Sequence, residues 1–166
     1  ELSFDKQARV FLVSGGSEAV ETAVKMAKKY HKIRGNPMRF KVICRVGSYH
    51  GATHFCMTLG GGSVAHPQDY GPLFMGTYNT SQPYQYRCHH CQEDGQCNLK
   101  CAYDVDRVIE AEGPEQVAAF IGEPISAAAD VAVPHPDYWS TIREICDKHG
   151  VLLIMDEVIT GFGRTG

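Results

Sequence analysis

Small and polar residues follow four apolar runs of this sequence, at positions where chemistry is commonly carried out. The four segments are "SGGSEA" from Ser14, "GSYHG" from Gly47, "GEP" from Gly122 and "DEV" from Asp156. Glycine-rich turns before a helix bind anions, aromatic rings stack on planar ligands, and imidazoles and carboxylates move or hold protons. Each segment also has an ordinary structural explanation, so none of them identifies a function by itself.

The first segment has two interpretations. Small residues from Ser14 to Ser17 run directly into a helical pattern, and the free amides and positive dipole end of a helix start can hold a phosphate, with the Ser17 hydroxyl as a further donor. Alternatively, Ser17 caps the helix and the glycines only form a tight turn. The spacing differs from the nucleotide-binding glycine motifs, so a nucleoside triphosphate is not indicated.

The second segment places Tyr49 and His50 after an apolar run. Tyr49 can stack on a planar ligand and His50 can donate to a carboxylate or phosphate, or both can simply be packed and satisfied within the core.

The last two segments place Glu123, Asp156 and Glu157 at the ends of apolar runs. A buried carboxylate needs a partner because an unpaired buried charge is very costly. The partner can be an arginine, a metal or a cationic heterocycle. Two consecutive acids also fit a magnesium site, so metal-dependent phosphoryl transfer is an alternative at this stage.

Alternating strand and helix patterns must position these residues. Apolar runs predict strands at 10–13, 40–46, 117–124 and 151–157. Helix-period patterns predict helices at 104–113, at 137–150 and from Ser17 to about residue 33, the last with Tyr30 on its apolar face, and a short helix is predicted after Gly51. A run such as "VLLIM" implies burial on both faces, which is typical of parallel sheets. We therefore predict an α/β fold, a mostly parallel sheet flanked by helices, with ligands at the carboxyl ends of the strands.

Composition narrows the class of partner. The chain has 166 residues, 43% of them hydrophobic, and a formal net charge of -3. This is enough for one globular core, and it lacks the one-sided field that collects nucleic acid or anionic lipid. No apolar run is long enough to span a membrane, and the start does not resemble a signal peptide. We expect an intracellular protein, cytoplasmic or in an organellar matrix, that acts on a small molecule.

An irregular region at about 63–101 interrupts the alternating pattern and contains a cysteine cluster, which consists of Cys88, Cys91, Cys97 and Cys101. A C-x2-C pair followed by a C-x3-C pair supplies enough thiolates for a tetrahedral zinc, although the spacing between the pairs is short for common zinc modules. A structural zinc, a disulfide and free thiols are the three interpretations, and we favour free thiols.

Taken together and in this order, the segments "SGGSEAVETAVKMAKKYH", "SYHGAT", "AAFIGEP" and "LLIMDEVITGFGRTG" resemble the class III, pyridoxal-phosphate-dependent aminotransferases of fold type I. The resemblance implies that residues 1–166 form part of the large cofactor-binding domain of a longer enzyme. That enzyme would transfer an amino group from an amine or amino acid to a 2-oxo acid and would be a homodimer. An aminomutase, a phospho-amine lyase and a non-catalytic truncated or metal-stapled interaction domain are the alternatives.

The resemblance also implies residue roles. Asp156 would pair with the pyridine nitrogen of pyridoxal 5'-phosphate (PLP), and Glu123 would be the active-site glutamate that contacts the cofactor region or a substrate cation. The other implied cofactor-binding residues are Gly16 and Ser17 at the phosphate, Tyr49 and Val158 on the two ring faces, and His50 behind them.

Three features depart from the family pattern. Many relatives carry Asn-Ser in place of Ser14-Gly15, and Ile159 replaces a glutamine that in some members contacts the phenolic oxygen of the cofactor. The lysine that binds the cofactor covalently lies downstream of the "DEV" motif in the family, whereas the last lysine here is Lys148. We therefore expect this sequence to lack an N-terminal segment, the catalytic lysine and the C-terminal domain, and to be inactive by itself.

Overall fold

A four-stranded parallel sheet forms the centre of the computed structural model, which describes residues 8–61, 67–91 and 96–165. The strands are β1 (Lys41–Arg45), β2 (Thr77–Thr80), β3 (Val117–Gly122) and β4 (Leu152–Met155), in the order β2-β1-β3-β4. All three neighbouring pairs run parallel. The predicted α/β class with a mostly parallel sheet is confirmed.

Helices cover both faces of this sheet. They are α1 (Gly16–Ile33), α2 (His54–Leu59), α3 (Lys100–Glu112) and α4 (Tyr138–His149). On one face, Ile121 of β3 packs with α1 and α2, and on the other face Phe120 packs with α3 and α4. Since successive strand residues point to opposite faces, β3 is buried along its whole length. None of the described helices has the length and apolar composition that crossing a lipid bilayer requires.

The strand predicted at 10–13 is not present. Val10, Phe11 and Leu12 are 79%, 66% and 87% exposed, and the segment has no regular structure. A strand needs a neighbour for its backbone hydrogen bonds, and within the described residues no strand pairs with this segment. An apolar run alone cannot report whether that neighbour exists.

The structure instead places β2 inside the region predicted to be irregular. The sequence "TYNT" has no apolar alternation, so its pattern does not indicate a strand. Its register against β1, from Val42 opposite Thr77 to Arg45 opposite Thr80, shows that pairing at long range creates it. The rest of that region includes residues 62–66 and 92–95, which lie outside the described part of the chain.

Three smaller predictions are also corrected. Helix α3 begins at Lys100 and thus includes Cys101, four residues before the predicted start at 104. In α1 the position predicted for Tyr30 on the buried face is taken by His31, whose Nε2 lies 2.9 Å from the Ala118 carbonyl oxygen. Strand β4 is only partly buried, although "VLLIM" implies burial on both faces, because it is an edge strand among the described residues.

Candidate active site

A cavity of about 230 Å³ lies where α1 begins and where the loops after β1 and β4 meet. It is therefore at the carboxyl edge of the sheet, where ligands of open α/β sheets gather. Its lining contains all six residues predicted to bind a cofactor, together with one further glycine: Gly16, Ser17, Tyr49, His50, Gly51, Asp156 and Val158. The predicted catalytic residue Glu123 is not in this lining.

The start of α1 forms one end of the cavity. The helix begins at Gly16 with Gly15 as its N-cap residue, and no side chain caps it, so the interpretation of Ser17 as the cap is wrong. The Ser17 hydroxyl oxygen instead accepts a hydrogen bond from the Ala52 amide at 3.1 Å. The first intrahelical bond is made by Ala19, which leaves the preceding amides and the positive dipole end available to an anion.

Gly51 fixes the approach of the loop after β1 to this helix. Its φ of +128° belongs to a conformation that side chains rarely adopt. A Cβ at Gly51 would overlap the Ser17 hydroxyl and lie 3.0 Å from Ser17 Cα. Only glycine allows this contact, which brings Tyr49 and His50 beside Ser17.

Asp156 forms the other end of the cavity. Its amide donates to the Gly122 carbonyl at 2.9 Å, which continues the ladder between β3 and β4 by one residue. The carboxyl oxygens accept from the Val158 amide at 3.2 Å and contact His50 Nδ1 at 2.7 Å. Asp156 is 8% exposed, whereas the neighbouring Glu157 is exposed. The magnesium alternative requires both consecutive acids to face one site. They do not, because only Asp156 is buried at the cavity.

His50 is held behind Asp156. Because a carboxylate only accepts hydrogen bonds, Nδ1 donates in this contact and Nε2 becomes an acceptor in the neutral ring. Nε2 is buried, and no described residue bonds to it. The histidine thus has one bond to the carboxylate and one buried nitrogen without a partner among the described residues.

The lining fits a planar, cationic ring that carries a phosphate. The free amides of α1 and the Ser17 hydroxyl suit the anion, and the Asp156 carboxylate suits a protonated ring nitrogen. Tyr49 and Val158 are 40% and 68% exposed and border the space between these two ends. The donor and acceptor types therefore match the group that the family resemblance implies.

The sequence analysis did not identify two residues that contact Glu123, namely Ser126 and Arg45. Ser126 and Arg45 both bond to Glu123, the serine hydroxyl to Oε1 at 2.8 Å and Arg45 Nη2 to the backbone oxygen at 2.6 Å. Arg45 is 1% exposed. The sequence signal for Arg45 was a charged residue at the end of an apolar run, which is the pattern that identified Glu123.

Of the three interpretations of the cysteine cluster, the zinc site has no support within the described residues, where the cysteines do not bring three ligand atoms within 4.8 Å of one another. All seven cysteines are free thiols, and burial raises the pKa of Cys101 to about 12. In the described part of the chain, the only group of three or more ligand side chains with all ligand atoms within 4.8 Å is Asp106, Glu110 and His149. Asp106 in that group is already paired with Lys148 and His149.

The sequence and the fold were compared with those of known proteins. The sequence profile of the family described as aminotransferase class-III matches residues 2–166. A putrescine–pyruvate aminotransferase of Pseudomonas aeruginosa is 41% identical over 157 residues, which are 95% of this chain and 34% of that protein. A diaminobutyrate–2-oxoglutarate transaminase of Halomonas elongata is 38% identical over 170 residues, covering all of this chain and 36% of that protein.

Solved structures of the same kind share the fold. An amine transaminase from an uncultivated Pseudomonas species, solved in a PLP-bound form, superposes with a TM-score of 0.79 at 41% identity, over 92% of this chain and 34% of that one. A Bacillus anthracis aminotransferase gives a TM-score of 0.85 at 39% identity, over 93% and 34%. The chain thus spans about a third of the length of the relatives it matches.

Proposed function

Since this chain belongs to the class-III aminotransferase family, we propose that its cavity binds PLP and that the full-length protein transfers an amino group from an amine or amino acid to a 2-oxo acid. Residues 1–166 would be part of the large cofactor-binding domain. The observation that carries the proposal is the single cavity that joins the α1 amides to the Asp156 carboxylate. No metal is part of this proposal.

Asp156 has the central chemical role. When bound, PLP supplies a ring that withdraws electrons from the substrate carbon after a proton leaves it. The Asp156 carboxylate keeps the ring nitrogen protonated, because opposite charges in contact shift both groups toward their charged forms. The Val158 amide and His50 hold the carboxylate in a fixed orientation.

The remaining lining residues bind and orient. The Gly16 and Ser17 amides and the Ser17 hydroxyl hold the phosphate, and Tyr49 and Val158 lie against the two faces of the ring. A Cβ at Gly16 would come 3.3 Å from Val158 Cγ2, so a side chain there would narrow the space for the ring.

A homodimer is a further part of the proposal. Large apolar side chains in the segment that follows Asp156 are exposed, among them Ile159 at 55% and Phe162 at 97%. A contact with a second subunit would cover them. Light scattering of the full-length protein tests this part, and a monomer at micromolar concentration would contradict it.

The reaction is tested with purified full-length protein, PLP, a panel of amines and amino acids, and pyruvate or 2-oxoglutarate as acceptors. We expect amino-acid formation from at least one donor and acceptor pair, and borohydride trapping of PLP on one lysine. Release of phosphate or movement of the amino group within one substrate would favour the lyase or mutase alternative. Absence of PLP binding would refute the proposal.

His50 offers a more specific prediction. Replacing it with Leu removes the donor to Asp156, and we expect kcat to fall about 10- to 100-fold, as for other residues that orient a charged ligand. His50→Asn places an amide nitrogen near the Nδ1 position and should lose only a few-fold. Steady-state kinetics of both variants distinguish the two, and equal losses would show that the hydrogen bond is not what matters.

A further inference from the structure

We propose that Glu123 is a positioning residue that fixes the Tyr49 loop against Asp156, through its role as a hydrogen-bond acceptor rather than through its charge. The inference rests on the proposed function, because the ring that Tyr49 and Asp156 would hold is PLP. It differs from the role that the resemblance implies for this glutamate, a contact with the cofactor region or a substrate cation.

The Glu123 side chain makes its hydrogen bonds inside the protein and outside the cavity. Oε1 accepts from the Tyr49 amide at 3.2 Å and from the Ser126 hydroxyl at 2.8 Å. Glu123 is 5% exposed and Ser126 is fully buried. The cavity lining includes Tyr49 but not Glu123. The side chain therefore contacts the backbone that carries the ring-stacking residue and lies outside the cavity itself.

The backbone next to Glu123 holds the other side of the site. The Gly122 carbonyl accepts the Asp156 amide at 2.9 Å. Two consecutive residues, Gly122 and Glu123, thus bond to Asp156 on one side and to Tyr49 on the other. Their geometry sets how far the stacking ring lies from the carboxylate that would pair with the ring nitrogen.

Arg45 contacts the backbone of the two-residue bridge that Gly122 and Glu123 form between Asp156 and Tyr49. Its Nη2 donates to the Glu123 backbone oxygen at 2.6 Å, and its guanidinium lies 5.4 Å from the Trp139 ring. A Cβ at Gly122 would lie 3.0 Å from Trp139 and 3.3 Å from the guanidinium carbon, so the bridge is packed tightly on its far side. Such packing leaves Glu123 little freedom to move toward the cavity.

Two substitutions separate the acceptor role from the charge. Glu123→Gln keeps an oxygen for the Tyr49 amide and the Ser126 hydroxyl but removes the charge. Glu123→Ala removes both. If the charge contacts the cofactor or substrate, both variants should lose PLP affinity to the same extent. If the acceptor role matters, Glu123→Gln should keep the PLP affinity and the protection of the Tyr49 amide that Glu123→Ala loses.

The readout is hydrogen–deuterium exchange of the peptide containing Tyr49, measured by mass spectrometry on the full-length protein without PLP. We expect exchange at this peptide to be about tenfold faster or more in Glu123→Ala and close to wild type in Glu123→Gln. Ser126→Ala, a milder change, should give an intermediate increase. In parallel, the PLP dissociation constant should rise about tenfold in Glu123→Ala and should stay within about twofold of the wild-type value in Glu123→Gln.

Asp104→Ala is the matched control. Asp104 accepts from the Ser81 amide and hydroxyl, both at 2.8 Å, and so, like Glu123, bonds to one amide and one hydroxyl, but away from the cavity. It also pairs with Arg107 at 2.7 Å, so the control removes an ion pair as well. The substitution should speed exchange at Ser81 and not at Tyr49. Unchanged Tyr49 exchange in Glu123→Ala, or equal acceleration in Glu123→Gln, would overturn the inference. A wild-type protein that does not bind PLP would refute the proposed function and leave the exchange result intact.

Discussion

Replacing Asp156 with Asn is expected to lower the rate of amino transfer by the full-length protein by about 100- to 1000-fold while PLP still binds. Asn has the same shape and can still accept from the Val158 amide, and its amide nitrogen can face His50 Nδ1 if the imidazole proton moves to Nε2. What is lost is the negative charge that keeps the ring nitrogen protonated. Steady-state kcat and an absorbance titration with PLP measure the two effects separately.

Glu157→Gln is the control for this substitution. It removes an adjacent acid whose side chain is exposed, so we expect wild-type activity. A rate for Asp156→Asn within about fivefold of wild type would contradict this role of the carboxylate, since the charge would then supply about 1 kcal/mol or less.

Gly51→Ala is expected to have the second large effect. The new methyl group would overlap Ser17, and the alanine would have to adopt a φ of +128°. Strain and overlap together should cost about 2–4 kcal/mol of apparent unfolding free energy. Because Ser17 must move, the phosphate loses donors, and PLP affinity should fall about 10- to 100-fold. Urea denaturation and PLP titration measure these outcomes.

Gly35→Ala separates backbone strain from the contact with Ser17. Gly35 has a φ of +84°, and a Cβ there would meet nothing within 4 Å. We expect a cost of about 1 kcal/mol and unchanged PLP affinity. Equal effects of the two substitutions would show that the approach of Gly51 to Ser17 does not shape the phosphate end of the cavity.

The sequence predicted the parts of the fold that depend on local pattern. The alternation of apolar runs with helical periods led to the correct α/β class. The run that served as the example of burial on both faces, "VLLIM" at β4, is only partly buried, and β3 is the strand buried along its whole length. The sequence did not predict β2, since the pairing of Val42 with Thr77 spans 35 positions and leaves no mark in "TYNT". The segment at 10–13 failed for the opposite reason, because an apolar run does not guarantee a partner strand.

The candidate site divides in the same way. Its residue types and order were enough to identify the family and to name six of the seven residues that line the cavity, although they also named Glu123, which lies outside that lining. The contacts that arrange them were not predictable. The Ser17 hydroxyl bonds 35 residues away, and the Glu123 carboxyl 74 residues away. One of the two local interpretations of Ser17 made it the helix cap, whereas the fold gives that position to Gly15.

The proposed chemistry depends on the Asp156 carboxylate in this cavity keeping a bound heteroaromatic ring cationic. Nitrogen NMR of the full-length protein loaded with PLP labelled at the ring nitrogen reports the protonation of that atom directly. We predict a protonated nitrogen in the wild type and in Glu157→Gln, and an unprotonated one in Asp156→Asn at the same pH. The same protonation state in the wild type and Asp156→Asn would contradict the claim.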